Sequence, residues 1–235
     1  MKIWYWILDT LYQLRIRIIA LSELPEFINR PILNKDALVV VMVQGFRSKV
    51  AAGRLLAKFL VSCGYPVITV PELGNNTMSV PEGAKTVADK VASLGLKHVI
   101  LACGSKGALV GKYILAHYNS QGTVKGMVAI AGAFGGTPLV RFIPWRPYRE
   151  LLPTNPVIQE LQKNTAINSK IVSIFPKYDN YLTIPGSSRL VGALDNVQVP
   201  YGGHNVAGFQ KTTWEEVLKG IKKIENLSEQ TRTVV

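Results

Sequence analysis

The chain has 235 residues, enough for one large α/β domain with a sizeable core. With 48% hydrophobic and 18% charged residues it reads as globular, not disordered. The net charge of +12 points to nucleic acid, an anionic membrane surface or an anionic substrate, and the absence of zinc-finger spacing, nucleic-acid motifs and long Lys/Arg runs sets nucleic acid aside.

Residues 1–21 carry Ile3, Ile7, Leu11, Leu14, Ile18 and Leu21 at helical spacing, with Lys2, Asp9 and Gln13 opposite and Trp4, Tyr5, Trp6 and Tyr12 adding aromatic bulk. Asp9, Arg15 and Arg17 interrupt the apolar run too often for a membrane span or a signal-peptide core. Two readings stay open: a helix whose stripe packs on the domain, or a helix lying in the plane of a membrane. On the second, the segment is separable from the rest of the fold. The expected organisation is an N-terminal helix and connector over 1–31, then a catalytic domain over 32–235. The chain is expected in the cytoplasm, peripheral at the membrane.

Residues 37–43 form a continuous β-branched run, a central parallel strand ending in the turn Gln44-Gly45-Phe46. A helix is predicted over 48–62, stopped by Gly64, then a strand over 66–70 and a helix over 80–94 stopped by Gly95. Residues 98–103 read as a buried strand, and from Ala108 the pattern turns helical. Ser105 therefore sits where a strand turns sharply into a helix, the setting of a nucleophile elbow. The sequence there is C-G-S-K-G, with Cys103 where the usual pattern has glycine; the competing reading is that Ser105 only caps the helix.

A further strand is predicted over 125–131. Residues 138–168, with Pro138, Pro144, Pro147, Pro153 and Pro156, then break the rhythm and read as a small cap with a short helix over 157–163. Within it Arg141, Arg146 and Arg149 stand beside Phe142, Trp145 and Tyr148. Arg141, Trp145, Arg146 and Arg149 are candidate substrate contacts, and a candidate lipid-facing patch unless the arginines pair with Glu150 and Glu160. Strands over 170–175 and 196–199 and a helix over 212–224 complete the pattern, with a frayed tail from Glu225. The alternation calls for a mainly parallel central sheet with helices on both faces. Cys63 and Cys103, both in apolar segments, read as buried free thiols, and no cluster has zinc spacing.

A serine nucleophile needs a base, and the base an orienting carboxylate. Of three histidines, His98 starts the elbow strand at the remote end and His117 lies about three turns along the following helix. His204 follows the last strand, on the rim where the strands' carboxyl ends gather; otherwise it is an exposed loop histidine. Asp179 emerges on the same rim, whereas Asp195, Asp89, Asp36 and Asp9 do not. The order Ser105, Asp179, His204 is the one used by the hydrolase fold built around such an elbow. Backbone N–H groups of Phe46 and Lys106 are the candidate oxyanion hole.

Residues 37–221 resemble the lipase-like branch of the α/β-hydrolases, which includes bacterial lipases and esterases and the deacylases of GPI-anchor lipids. The resemblance lies in VVVMVQGF, VILACGSKGALVGKYIL, VAIAGAFGGTPLV, SIFPKYDN and VPYGGHN, in that order. It departs at Gln44, where the family usually has histidine, at Cys103, and at Phe134, where a polar residue is common. The resemblance implies the α/β-hydrolase fold with a short cap and a serine hydrolase acting on a lipid-like carboxylic ester without metal or organic cofactor. An acyltransferase on the same triad and a non-catalytic, membrane-associated binding protein of the same fold are the alternatives. Oligomeric state is not legible.

Overall fold

The computed structural model describes residues 2–21, 23–26 and 28–233. Six strands form one sheet, all parallel, in the order β2-β1-β3-β4-β5-β6: β1 Leu38–Val43, β2 Val67–Thr69, β3 His98–Gly104, β4 Val124–Ile130, β5 Ile171–Tyr178 and β6 Asp195–Gly202. Each coincides with a predicted strand. The physical cause is visible in β1, where Val39, Val41 and Val43 point to one core and Val40 to the other. A strand buried on both faces must be apolar at consecutive positions.

The helices that cover these faces are α2 Arg54–Ser62, α3 Val80–Ser93, α4 Lys106–His117 and α7 Lys211–Thr233. Helices α3 and α4 pack Val80, Ala84, Val87 and Leu109 over the first face. Helices α2 and α7 pack Leu56, Leu60, Val217 and Ile221 over the second. Gly64 and Gly95 follow α2 and α3 with φ of 92° and 63°, the left-handed conformation that ends a helix cheaply only at glycine. Ser79 and Glu82 form a reciprocal cap at the start of α3.

The cap consists of 3-10 turns Pro138–Phe142 and Arg146–Leu151 followed by α5 Pro156–Lys163. Two expectations are corrected. The segment from Glu225 is not frayed: α7 continues to Thr233, and Tyr65 donates to Glu225 at 3.0 Å. Cys63, just past α2, is exposed; only Cys103 is buried.

The N-terminal segment is a helix, α1 Lys2–Ile19, and it inverts the usual amphipathic arrangement. Asp9 is fully buried, while Ile3, Leu11, Ile18 and Leu21 are 75%, 58%, 61% and 80% exposed. The helix docks on its polar and aromatic face. The Tyr5 ring lies 5.3 Å from that of Tyr178, Trp6 meets Tyr181 edge-on at 5.8 Å, and Gln210 donates to the Tyr12 hydroxyl at 3.0 Å. The apolar stripe is therefore not packed into the core. Among the described residues no helix is long and apolar enough to cross a membrane.

Candidate active site

In an all-parallel sheet every strand ends on the same rim. The loop after β1 brings Gln44-Gly45-Phe46 there, β3 brings Ser105, β5 brings Asp179, and β6 brings His204. Ser105, Phe46, Tyr181 and His204 border one cavity of about 350 Å³.

Ser105 has φ 49° and ψ −118°, a conformation that a residue with a Cβ rarely adopts. The backbone holds it there: its N–H donates to Ile130 O at 3.0 Å, and its carbonyl accepts from Ala108 and Ala133. Its side chain makes no helix cap, which removes the competing reading of the serine. Two close approaches explain the glycines around it. A Cβ on Gly107 would stand 2.3 Å from Val43 O, and one on Gly45 would stand 3.2 Å from Ser105 Cβ. Cys103 is tolerated because its sulfur faces Gly111, where a Cβ would come within 2.7 Å of it. Burial pushes the Cys103 thiol well above its ordinary pKa, so it stays neutral.

His204 Nδ1 and Asp179 Oδ2 are 2.8 Å apart. Asp179 is fixed in turn, its other oxygen accepting from the N–H groups of Tyr181 and Leu182 at 2.9 and 2.8 Å. Burial alone would lower the His204 pKa. The charge and hydrogen bond of Asp179, with a contribution from Asp9, outweigh it and raise the pKa above the ordinary imidazole value of 6.5. Burial pushes Asp179 the other way, but the His204 charge and the hydrogen bonds leave its pKa below 3.8. His204 and Ser105 border the same cavity, with no hydrogen bond between them among the described residues.

The oxyanion candidates are placed differently. Phe46 borders the cavity. Lys106 opens α4, so its N–H lacks an intrahelical acceptor. The Lys106 side chain turns away, fully buried, to donate to Asn76 O at 3.1 Å and to Met78 O. Burial lowers its pKa to about 8 against the opposing charges of Glu150 and Glu82. Gln44, standing where the resembled family has histidine, donates from its side-chain amide to Gly74 O at 3.1 Å and accepts from the Asn76 side chain at 2.7 Å through its backbone carbonyl. The loop bearing Phe46 is thus braced by Gln44, Asn76 and the buried Lys106. Phe134 is buried, with Lys112 Nζ 5.9 Å from its ring centre.

The cap residues Arg141, Trp145, Arg146 and Arg149 are exposed and do not border the cavity; Val140, Tyr148 and Leu151 do. Trp145 instead packs against Phe46 at 5.8 Å, with the Arg47 guanidinium 5.5 Å from its ring centre. The other histidines fall as expected: His98 begins β3 at the far end, and His117 pairs with Glu160 at 2.7 Å. Asp195 is bound to Lys223 at the opposite edge.

Sequence reasoning missed Asp9 and Asn180. Asn180 accepts from the His204 N–H at 2.9 Å and donates to Asp9 at 3.1 Å. Asp9 also accepts from Asn205 N at 2.6 Å, Val206 N at 3.1 Å and Asn205 Nδ2 at 2.9 Å. His204 opens the short helix α6 His204–Gly208, and the N–H groups of its second and third residues have no partner within it. Asp9, nearly two hundred residues away in the chain, caps that helix. The Gly202-Gly203 pair before His204 was the available signal. A Cβ on Gly202 would stand 2.3 Å from the Tyr5 ring, and one on Gly203 would stand 2.8 Å from Asp9 Oδ1.

Compared with known proteins, the chain matches no family model and no curated sequence. Among solved structures it is similar to one of the metagenome-derived lipolytic enzymes LipS and LipT, with TM-score 0.64 and 13% identity over 86% of this chain and 100% of that one. It is similar to lipase B of Aspergillus fumigatus, with TM-score 0.64 and 14% identity over 82% of this chain and 53% of that one. It is also similar to a membrane phospholipase A described as a bacterial virulence factor, with TM-score 0.60 and 15% identity over 94% and 93%. The chain has the α/β-hydrolase fold.

Proposed function

We propose that the protein is a serine hydrolase that cleaves a lipid-like carboxylic ester. One observation carries this reading: a strained serine at a strand-to-helix elbow borders the same cavity as a histidine held by a buried aspartate. Ser105 Oγ attacks the ester carbonyl carbon while His204 takes its proton. Asp179 holds the imidazole so that the nitrogen facing Ser105 is the basic one, and stabilises the imidazolium. The Phe46 and Lys106 N–H groups meet the charge that develops on the carbonyl oxygen. His204 then returns the proton to the departing alcohol as the C–O bond breaks, leaving an acyl group on Ser105. Water, deprotonated by the same histidine, releases the acid and restores Ser105.

The lipid-like character is supported by the cavity lining, which includes Val140, Leu151, Leu182 and Phe209, and by the lipolytic structural neighbours. The test is turnover of a short p-nitrophenyl ester by the wild type and by Ser105→Ala. Wild-type turnover lost in a folded Ser105→Ala variant supports the reading. Turnover that survives the substitution, or a wild type with none, refutes it and favours a binding protein of the same fold.

A further inference from the structure

We propose that the outward face of α1 is a docking surface for an anionic lipid bilayer, on which the helix lies in plane beside the mouth of the cavity. Its Ile3, Ile7, Leu11, Leu14 and Ile18 are all exposed along the helix, with Leu21 exposed just beyond its end. A contiguous apolar stripe of this kind marks an interaction site on a water-soluble surface. The stripe cannot turn inward, because the opposite face is tied down by the four hydrogen bonds of Asp9 and the ring contacts of Tyr5 and Tyr12. Nor does the helix span a bilayer: Asp9 must stay docked on α6, and Arg15 and Arg17 interrupt its apolar run.

The occupant is argued from charge and position. The chain carries +12, which favours an anionic surface and opposes pairing with a second, equally charged copy. Trp4 and Trp6 flank the stripe, and Arg15 and Arg17 lie near its end, the combination suited to the head-group level. The cap repeats it: Phe142 is 87% exposed, and Leu139, Ile143 and Trp145 are exposed beside it. Glu150 and Glu160, the candidate partners of the cap arginines, are used elsewhere, Glu160 on His117 and Glu150 on the Val80 N–H. Among the described residues no salt bridge involves Arg141, Arg146 or Arg149.

Both elements also border the cavity, α1 through Gln13, Ile16 and Arg17 and the cap through Val140, Tyr148 and Leu151. A bilayer seated on α1 therefore meets the protein next to its candidate active site. If the serine-hydrolase reading holds, on which this last step rests, the substrate is an ester lipid resident in that bilayer.

The experiment is sedimentation of the full chain with vesicles of phosphatidylglycerol and phosphatidylcholine, and with phosphatidylcholine alone. It compares the wild type, Ser105→Ala, and the triple variant Ile7→Ser, Leu11→Ser, Leu14→Ser, whose side chains are all exposed. Wild type and Ser105→Ala should bind the anionic vesicles at low salt and release at high salt. The triple variant should bind at least about tenfold more weakly, since three apolar side chains no longer leave water on docking. Its turnover of a soluble ester should be unchanged. Docking of Ser105→Ala equal to wild type separates this inference from the catalytic one: vesicle binding without ester turnover leaves the surface standing and removes the enzyme. A wild type that ignores anionic vesicles, or a triple variant that binds equally well, overturns the inference. So does a wild-type dimer that the triple variant dissolves in size-exclusion chromatography with light scattering, because the stripe is then an interface between copies.

Discussion

Asp9→Asn is the most informative single change outside the proposed triad of Ser105, Asp179 and His204. The carboxylate accepts four hydrogen bonds, Oδ1 taking the Asn205 and Val206 N–H groups and Oδ2 the side-chain amides of Asn180 and Asn205. An asparagine can keep its oxygen on the two backbone donors, but its amide nitrogen then faces two other amide donors. Two hydrogen bonds to a charged acceptor are lost, and buried donors are left opposed. At about 1–3 kcal/mol for each unsatisfied buried group, with some relaxation, the loss is about 2–4 kcal/mol. Asp9→Ala removes the cap of α6 as well and should cost roughly 1 kcal/mol more. For a chain of this size each kcal/mol lowers the melting temperature by about 2–4 °C, so Asp9→Asn should melt roughly 4–16 °C lower.

The damage should also be directional. Asn180 holds the His204 N–H, and the Asp9 charge helps to raise the His204 pKa. Turnover of a soluble ester should therefore fall, and the acid limb of its pH profile should move to lower pH. Thermal melting and kcat/KM against pH read the two effects. A variant that melts within about 1 °C of wild type with an unmoved profile would refute the view that α1 is part of the site. Deleting residues 1–21 should be worse than either substitution, contrary to the expectation that the segment is separable.

Three further outcomes are expected. The general base must be neutral, so turnover should rise with pH through a midpoint above the unperturbed imidazole value of 6.5; a midpoint below it would mean that Asp179 does not govern His204. The same shift makes protonated His204 stabilising: that contribution is complete below about 6.5 and is lost as pH rises through the higher folded-state value, a trend that denaturant titrations across this range will register. Ser105→Gly should abolish turnover yet stabilise the fold by about 1 kcal/mol, because glycine accepts φ 49° without strain; equal or lower stability would show that the elbow is not strained.

What the sequence made legible follows from how local the signals are. The strands β1 to β5 are largely buried β-branched or apolar runs, whereas the edge strand β6 alternates, and the order of Ser105, Asp179 and His204 with the parallel rim rule places all three on one edge. The role of Asp9 was illegible because its partners lie 171 to 197 residues away, and a carboxylate opposite an apolar stripe looks like a solvent-facing residue. The same pattern hid the direction of α1: helical periodicity identifies two faces but not which of them is docked. The cap arginines were assigned to the cavity from their position in a long irregular segment, yet Val140, Tyr148 and Leu151 are the residues of that segment that border it. Short α6 carries too few residues for a periodic signal, and its capping partner comes from the other end of the chain.

The central claim is that Ser105 is an activated nucleophile. Labelling with a fluorophosphonate probe, followed by mass spectrometry of the modified peptide, tests it most directly, since the probe captures a serine only when its oxygen is made nucleophilic. The account predicts labelling of the wild type at Ser105, none of Ser105→Ala, and strongly slowed labelling of His204→Ala. A wild type that stays unlabelled, or one labelled at another serine while Ser105 is untouched, would contradict it.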